Sequence, residues 1–299
     1  MTEANVTLLG TGALASFLGA RLARAGQAVT LVGTWREAID AIAARGIVVE
    51  EEGRRWSAPA RAVCADQPIA PAALVIVLVK SRQTVTAAGL AARLASRDGA
   101  VLTLQNGLGH RELLAAEAGA ERVLVGIAFL GATGLGPGIV RDGGGSRIVV
   151  EQGPRASGAV AALRAAGFSI EPAEDIRPAQ WLKLAANCAI NPLSALKRVP
   201  NGVLLADPES RATIERAARE VGAVAAAAGI QLPCDAASAA LAMAHTAARN
   251  RSSMLQDVER GVPTEIEALN GAVVLEAARL GIDVPVNRQL LLAIRALGL

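Results

Sequence analysis

Polarity along the chain changes character once. Through the first half, short apolar runs alternate with amphipathic stretches. NVTLL (Asn5–Leu9) predicts a strand, GTGALA (Gly10–Ala15) a turn, SFLGARLARAG a helix, and AVTLV (Ala28–Val32) a second strand. LVIVLV (Leu74–Val79) is apolar throughout, as a parallel strand covered on both faces must be. AVLTL (Ala100–Leu104) reads the same way, and further strands fit 122–127 and 147–151. GATGLGPG, at 131–138, reads as a turn-rich connection and lacks the GK[ST] ending of a phosphate loop. From about Ile176 helical periods take over, with candidates at 178–190, 208–228, 235–249, 253–261, 264–280 and 286–297. Gly229, Gly261 and Gly281 read as helix stops, and Pro208, Pro233 and Pro285 lie at boundaries. Ser252 and Ser253 stand where N-caps belong.

Strand, glycine turn, helix, strand is the first unit of a Rossmann sheet. The expected fold is an α/β N-terminal Rossmann-type dinucleotide-binding domain over 1–173, followed by an all-α C-terminal domain over 174–299. The length of 299 residues suits two domains. In the motif Gly10, Thr11, Gly12, Ala13, Leu14, Ala15, the first glycine permits the tight turn. Gly12 lets a pyrophosphate approach the backbone at the helix N-terminus, and Ala15 takes the place of the third glycine. An NAD site wants an acid at the end of the second strand. That region reads VGTWRE, with no acid at the strand end, and Thr34 and Arg36 are placed to meet a 2′-phosphate. NADP is therefore the expected cofactor. Arg36 reads alternatively as a solvated residue on the next helix. The strand ending at Val79 delivers Lys80, Ser81 and Gln83 to its C-terminal end, where such sheets bind ligands.

Composition narrows the picture. Hydrophobic residues are 52% of the chain and aromatics 2%, with no Tyr, so Ala, Val and Leu must fill the cores. The net charge of +3 is spread out, with no basic block, which argues against a nucleic-acid partner. Cys64, Cys188 and Cys234 form no CxxC, so neither a disulfide framework nor a zinc site is expected, and a cytoplasmic location fits. Two histidines, His110 and His245, cannot make a His-rich metal site and read as surface or helix-end residues. No membrane span and no signal peptide are expected.

One stretch departs from its surroundings. WLKLAANCAINPLSAL (Trp181–Leu196) is apolar almost all round, yet Lys183, Asn187 and Asn191 fall at intervals of four, on one helical stripe. Buried amides and ammonium groups are costly without partners. Lys183 is also one of only three lysines, with Lys80 and Lys197, among thirty basic residues. Arginine cannot titrate in a protein, whereas a buried lysine can. A lysine kept at such a place suits acid–base work, and a structural ion pair is the plainer alternative.

The chain resembles the ketopantoate reductase (2-dehydropantoate 2-reductase) family. The matching pieces are GTGALA, VK-x-x-Q at Val79–Gln83, LQNGLG at Leu104–Gly109, WLKLAANCAINPLSAL, PNG at Pro200–Gly202, and NRSSMLQDVERGVPTEIEALNG at Asn250–Gly271. The resemblance implies NADPH-dependent reduction of ketopantoate to (R)-pantoate, for pantothenate and coenzyme A synthesis. It implies that Lys183 is the catalytic lysine and Glu265 its acidic partner. Ser253 then binds the substrate carboxylate, and Asn187, Asn191 and Asn201 bind its hydroxyl and carboxylate ends. Lys80, Gln83 and Asn106 match residues at the nicotinamide end of the cofactor site, with Asn106 also on the substrate side and Glu265 also on the cofactor side. Relatives usually carry an arginine where this chain has Thr34, and Arg36 comes two residues later. The expected partner is a small 2-oxo acid, and the expected state a monomer or homodimer. Other readings are a reductase of another branched 2-oxo acid, a non-catalytic NADP-sensing module, and the β-hydroxyacid dehydrogenase class.

Overall fold

The apolar runs of the first half become the strands of the first unit, which extends to Gln105 and resumes over Gly109–Ile176. The structure is a computed structural model and describes residues 5–299. The strands are β1 (Asn5–Leu9), β2 (Ala28–Gly33), β3 (Ile47–Glu51), β4 (Arg54–Ala58), β5 (Arg61–Cys64) and β6 (Ala72–Val77). They continue with β7 (Ala95–Thr103), β8 (Val123–Phe129), β9 (Ala132–Gly136), β10 (Ile139–Asp142), β11 (Arg147–Glu151) and β12 (Ser169–Ala173). The helices of this unit are α1 (Ala13–Arg24), α2 (Arg36–Arg45), α3 (Thr84–Leu94), α4 (His110–Ala118) and α5 (Ala156–Ala165).

Eight strands form one sheet in the order β12-β11-β8-β7-β6-β1-β2-β5. Pairing is parallel from β5 through β8, and β11 turns antiparallel on β8. Leu8 lies beside Leu31 and Ile76, and Leu9 beside Val32 and Val77. Because side chains alternate faces, Leu8, Leu31 and Ile76 enter the core that holds Phe17 and Leu18 of α1. Leu9, Val32 and Val77 enter the core on the other side, with Ala88 and Ala91 of α3. Both faces are thus covered, which is why these strands read as unbroken apolar runs.

A second sheet, ordered β4-β3-β10-β9, packs on α1. It corrects the reading of GATGLGPG as a mere connection: this segment holds β9 and leads into β10. Its strands are short, glycine-rich or charged. Ion pairs hold it together: Glu50 takes Arg55 and Arg141, and Arg21 of α1 takes Glu51 and Asp142. Arg24 lies 4.7 Å over the Trp56 ring.

The second unit comprises Asn106–Leu108 and Arg177–Leu299. Its helices are α6 (Arg177–Lys197), α7 (Asn201–Ala206), α8 (Pro208–Ala227), α9 (Ala236–Thr246), α10 (Ser253–Glu259), α11 (Ala272–Leu280) and α12 (Pro285–Arg295). Ala185, Ala189, Ala217, Ala218, Ala225, Ala237 and Ala240 are buried where α6, α8 and α9 meet. Small side chains let these helices approach closely, so a core with few aromatics can still be dense. Two expectations change here. α6 does not stop at 190 but runs on through Pro192 to Lys197. The stretch 264–280 is not one helix, since Glu267–Gly271 forms a π-type turn before α11. Among the described residues no helix is long and apolar enough to cross a membrane.

Candidate active site

In the first unit the expected cofactor residues gather at the C-terminal ends of β1, β2 and β6. β2 lies on one side of β1 and β6 on the other, so the chain leaves β1 at a topological switch point. Gly10 has φ +132, and a Cβ there would sit 3.0 Å from the Leu78 carbonyl oxygen. The turn is therefore closed to other residues. Thr11 is buried against Gly33, where a Cβ would come within 2.7 Å of its side chain. At Gly12 a Cβ would meet nothing within 4 Å. The α1 N-terminus that follows has no side-chain cap and no acid in its first turn. Its amide donors and positive dipole end suit a pyrophosphate approaching Gly12, Ala13 and Leu14. Ala15 is buried and packs in the core beside Phe17, so its methyl serves packing. Thr34 and Arg36 are both exposed just past β2, with Arg36 opening α2. Lys80 caps the short 3₁₀ turn Ser81–Gln83, and both Lys80 and Gln83 are half-buried.

Sequence reasoning overlooked what fixes that turn. The Gln105 amide donates to the Val79 carbonyl at 2.9 Å and to Thr84 Oγ1 at 2.8 Å. Thr84 Oγ1 also lies 3.3 Å from His110 Nδ1. His110 is therefore not a surface histidine: it is buried at the start of α4, within a polar cluster. His245 is exposed at the end of α9. Among the described residues no cluster of three or more His, Cys, Asp or Glu could hold a metal ion.

The remaining expected residues all belong to the second unit. α6 carries Lys183 and Asn187, both half-buried, and Asn191, which is buried. Burial pulls the Lys183 ammonium down from its ordinary 10.5 to about 8, and the charge of Glu265 opposes that fall. Glu265 is only 9% exposed. The two residues thus meet from segments 82 positions apart. Burial also pushes the Cys188 thiol up, which leaves it inert.

Hydrogen bonds between segments assemble the rest. Asn106 belongs with this unit because its neighbours are pinned there. The Leu108 amide donates to the Ala268 carbonyl at 3.3 Å, and Gln180 Nε2 donates to the Gly107 carbonyl at 3.1 Å. Gly107 has φ +98, and a Cβ would fall 2.3 Å from the Ala268 oxygen, so only glycine fits. Asn201 opens α7, its amide donating to the Asn250 carbonyl at 3.1 Å. Its side-chain Oδ1 is buried and meets no donor among the described residues. Ser252 is the N-cap of α10, accepting from the Leu255 amide at 3.0 Å, while its hydroxyl points to the Asn191 carbonyl at 3.5 Å. Ser253, one residue on, is half-buried and is not the cap. A titratable lysine with a buried carboxylate, beside amides and a hydroxyl, can protonate a carbonyl oxygen and bind a small acid.

A family profile described as ketopantoate reductase PanE/ApbA matches residues 6–155, and one described as its C terminal matches 175–298. A 2-dehydropantoate 2-reductase of Halobacterium salinarum is 38% identical over 292 residues, covering 95% of this chain and 96% of its own. One from Archaeoglobus fulgidus is 38% identical over 307 residues, covering 99% and 98%. The crystal structure of a PanE/ApbA family ketopantoate reductase from Ralstonia eutropha matches with TM-score 0.89 at 34% identity, over 98% of each chain.

Proposed function

We propose, from the premise that this chain belongs to the ketopantoate reductase family of oxidoreductases, that it reduces ketopantoate to (R)-pantoate with NADPH. The first domain, over 1–173, holds the cofactor through Gly10–Ala15, Thr34, Arg36, Lys80 and Gln83. The second, over 174–299, holds the 2-oxo acid. When bound, NADPH supplies the hydride that the carbonyl carbon receives. Lys183 hydrogen-bonds the carbonyl oxygen, stabilises the growing alkoxide and gives it a proton. One hydride and one proton convert the ketone to the alcohol, and the lysine regains its proton from solvent. Glu265 keeps Lys183 charged at neutral pH in spite of its burial. Asn187, Asn191 and Asn201 bind the substrate's hydroxyl and carboxylate ends, and Ser253 its carboxylate. Asn106 orients the reacting end.

The observation that carries this reading is Lys183 itself, brought to about 8 by burial with Glu265 alongside. That value leaves it protonated at neutral pH and still a ready donor. The test is steady-state oxidation of NADPH with ketopantoate, run beside NADH and other branched 2-oxo acids. Ketopantoate and NADPH should be preferred, and Lys183→Ala should lose mainly turnover. Full activity in Lys183→Ala would end the general-acid role. Turnover only with another acid would keep the chemistry and move the specificity.

A further inference from the structure

The helix that carries Lys183 contains a proline it ought not to tolerate. Pro192 lies inside α6, has no N–H, and so cannot donate to the carbonyl of Cys188 four residues back. A buried carbonyl left without a donor is costly. Asn270 supplies the donor from elsewhere. Its Nδ2 lies 3.0 Å from the Cys188 oxygen and 3.0 Å from Asn287 Oδ1. Asn270 and Asn287 are both completely buried.

The chain of contacts continues. Asn287 Nδ2 donates to the Ala217 carbonyl at 3.0 Å and to the Glu220 carboxylate at 2.7 Å. Glu220 also accepts the backbone amides of Val286 and Asn287, each at 2.9 Å, and so caps α12 from α8. Asn270 sits in the π-type turn that begins two residues after Glu265. Its bond to Cys188 falls on α6 between Lys183 and Asn191. The network therefore ties the segment that bears the carboxylate to the helix that bears the lysine.

We infer that Asn270 is a positioning residue: it replaces the donor that Pro192 removes from α6 and, braced by Asn287 and Glu220, fixes Lys183 relative to Glu265. The inference rests on the proposed role of Lys183, but its geometry can be tested without turnover. Glu265 is the charged group that acts on Lys183, and Cys188, between Lys183 and Asn191 on α6, is a buried thiol held neutral by its burial. Releasing α6 weakens the attraction of Glu265, so the ammonium should lose its proton at lower pH.

Only Lys80, Lys183 and Lys197 would give signals in protein labelled with carbon-13 lysine, and Lys183→Arg assigns the one of interest. Asn270→Ala should move the Lys183 titration down by about half a pH unit or more. It should lower kcat roughly tenfold or more, with little change in KM. Adding Pro192→Ala gives α6 its own donor to the Cys188 carbonyl, so the double variant should recover both properties relative to Pro192→Ala alone. A folded Asn270→Ala protein with the wild-type titration overturns the inference, as does a loss that Pro192→Ala leaves uncorrected. Should Asn270→Ala not fold, Glu220→Gln weakens the far end of the network. A smaller shift in the same direction then supports the inference, and an unmoved titration overturns it. Wild-type protein that turns over no ketopantoate would count against the proposed reaction and leave the titration test standing.

Discussion

Lys183 should burden the fold that depends on it, and Lys183→Met measures the burden. The ammonium's pKa falls from 10.5 to about 8. At 1.36 kcal/mol per unit, holding the charge costs roughly 3 kcal/mol at neutral pH. Methionine keeps an apolar stem of similar length and removes the charge. That figure is already net of the attraction of Glu265, which opposes the fall and is lost together with the ammonium. The expected net effect is a stabilisation of about 3 kcal/mol at pH 7, in a protein that no longer turns over. The pH dependence identifies the source. Below pH 8 the folded and unfolded wild type both carry the proton, and the full cost applies. Between about 8 and 10.5 the unfolded chain binds more protons at this site than the folded one, so this cost falls as pH rises. The advantage of Lys183→Met must therefore shrink through that window and vanish above it. Urea unfolding of both proteins from neutral pH to beyond pH 10 gives the difference, and the titrations of other groups cancel in it. An advantage that stays constant or grows with pH would refute the reasoning.

Gly107→Ala should cost about 2–4 kcal/mol of stability, from a left-handed backbone and a clash with the Ala268 oxygen. It should raise the KM for the 2-oxo acid through Asn106; urea melts and initial rates check both, and wild-type values in each would remove Gly107 from the site. Ser252→Ala should cost about 1 kcal/mol as a lost N-cap and leave KM near the wild type, whereas Ser253→Ala should raise KM at unchanged stability. The reverse pattern would exchange their roles. Arg36→Ala should raise the KM for NADPH and leave that for NADH alone, since only one carries the 2′-phosphate. An equal effect on both, or none, would make Arg36 a solvated helix residue.

The parts of the fold that were legible are those where local pattern and burial coincide. LVIVLV, short and apolar on both faces, supplies most of β6, which pairs with β1, whose Leu8 and Leu9 enter cores on opposite faces of the sheet. The small sheet lacked that coincidence. Two of the five residues of β9 are glycine, and exposed Arg55 of β4 finds its charged partner, Glu50, on β3. The stripe of Lys183, Asn187 and Asn191 stood out because three polar residues at a helical interval inside an apolar run need a reason. The same logic failed at Pro192. A proline argues locally for a helix end, but the helix continues, and Asn270, 78 positions later, meets the orphaned carbonyl. Asn106 shows the same limit. In sequence it follows a strand of the first unit, but Ala268 and Gln180 hold its neighbours in the second. Side chains that touch a ligand repeat in motifs and can be read. Those that place them act through long-range contacts with single buried groups, and a polar residue in an apolar run, such as Asn270 before GAVVLEAA, is the only trace they leave in the sequence.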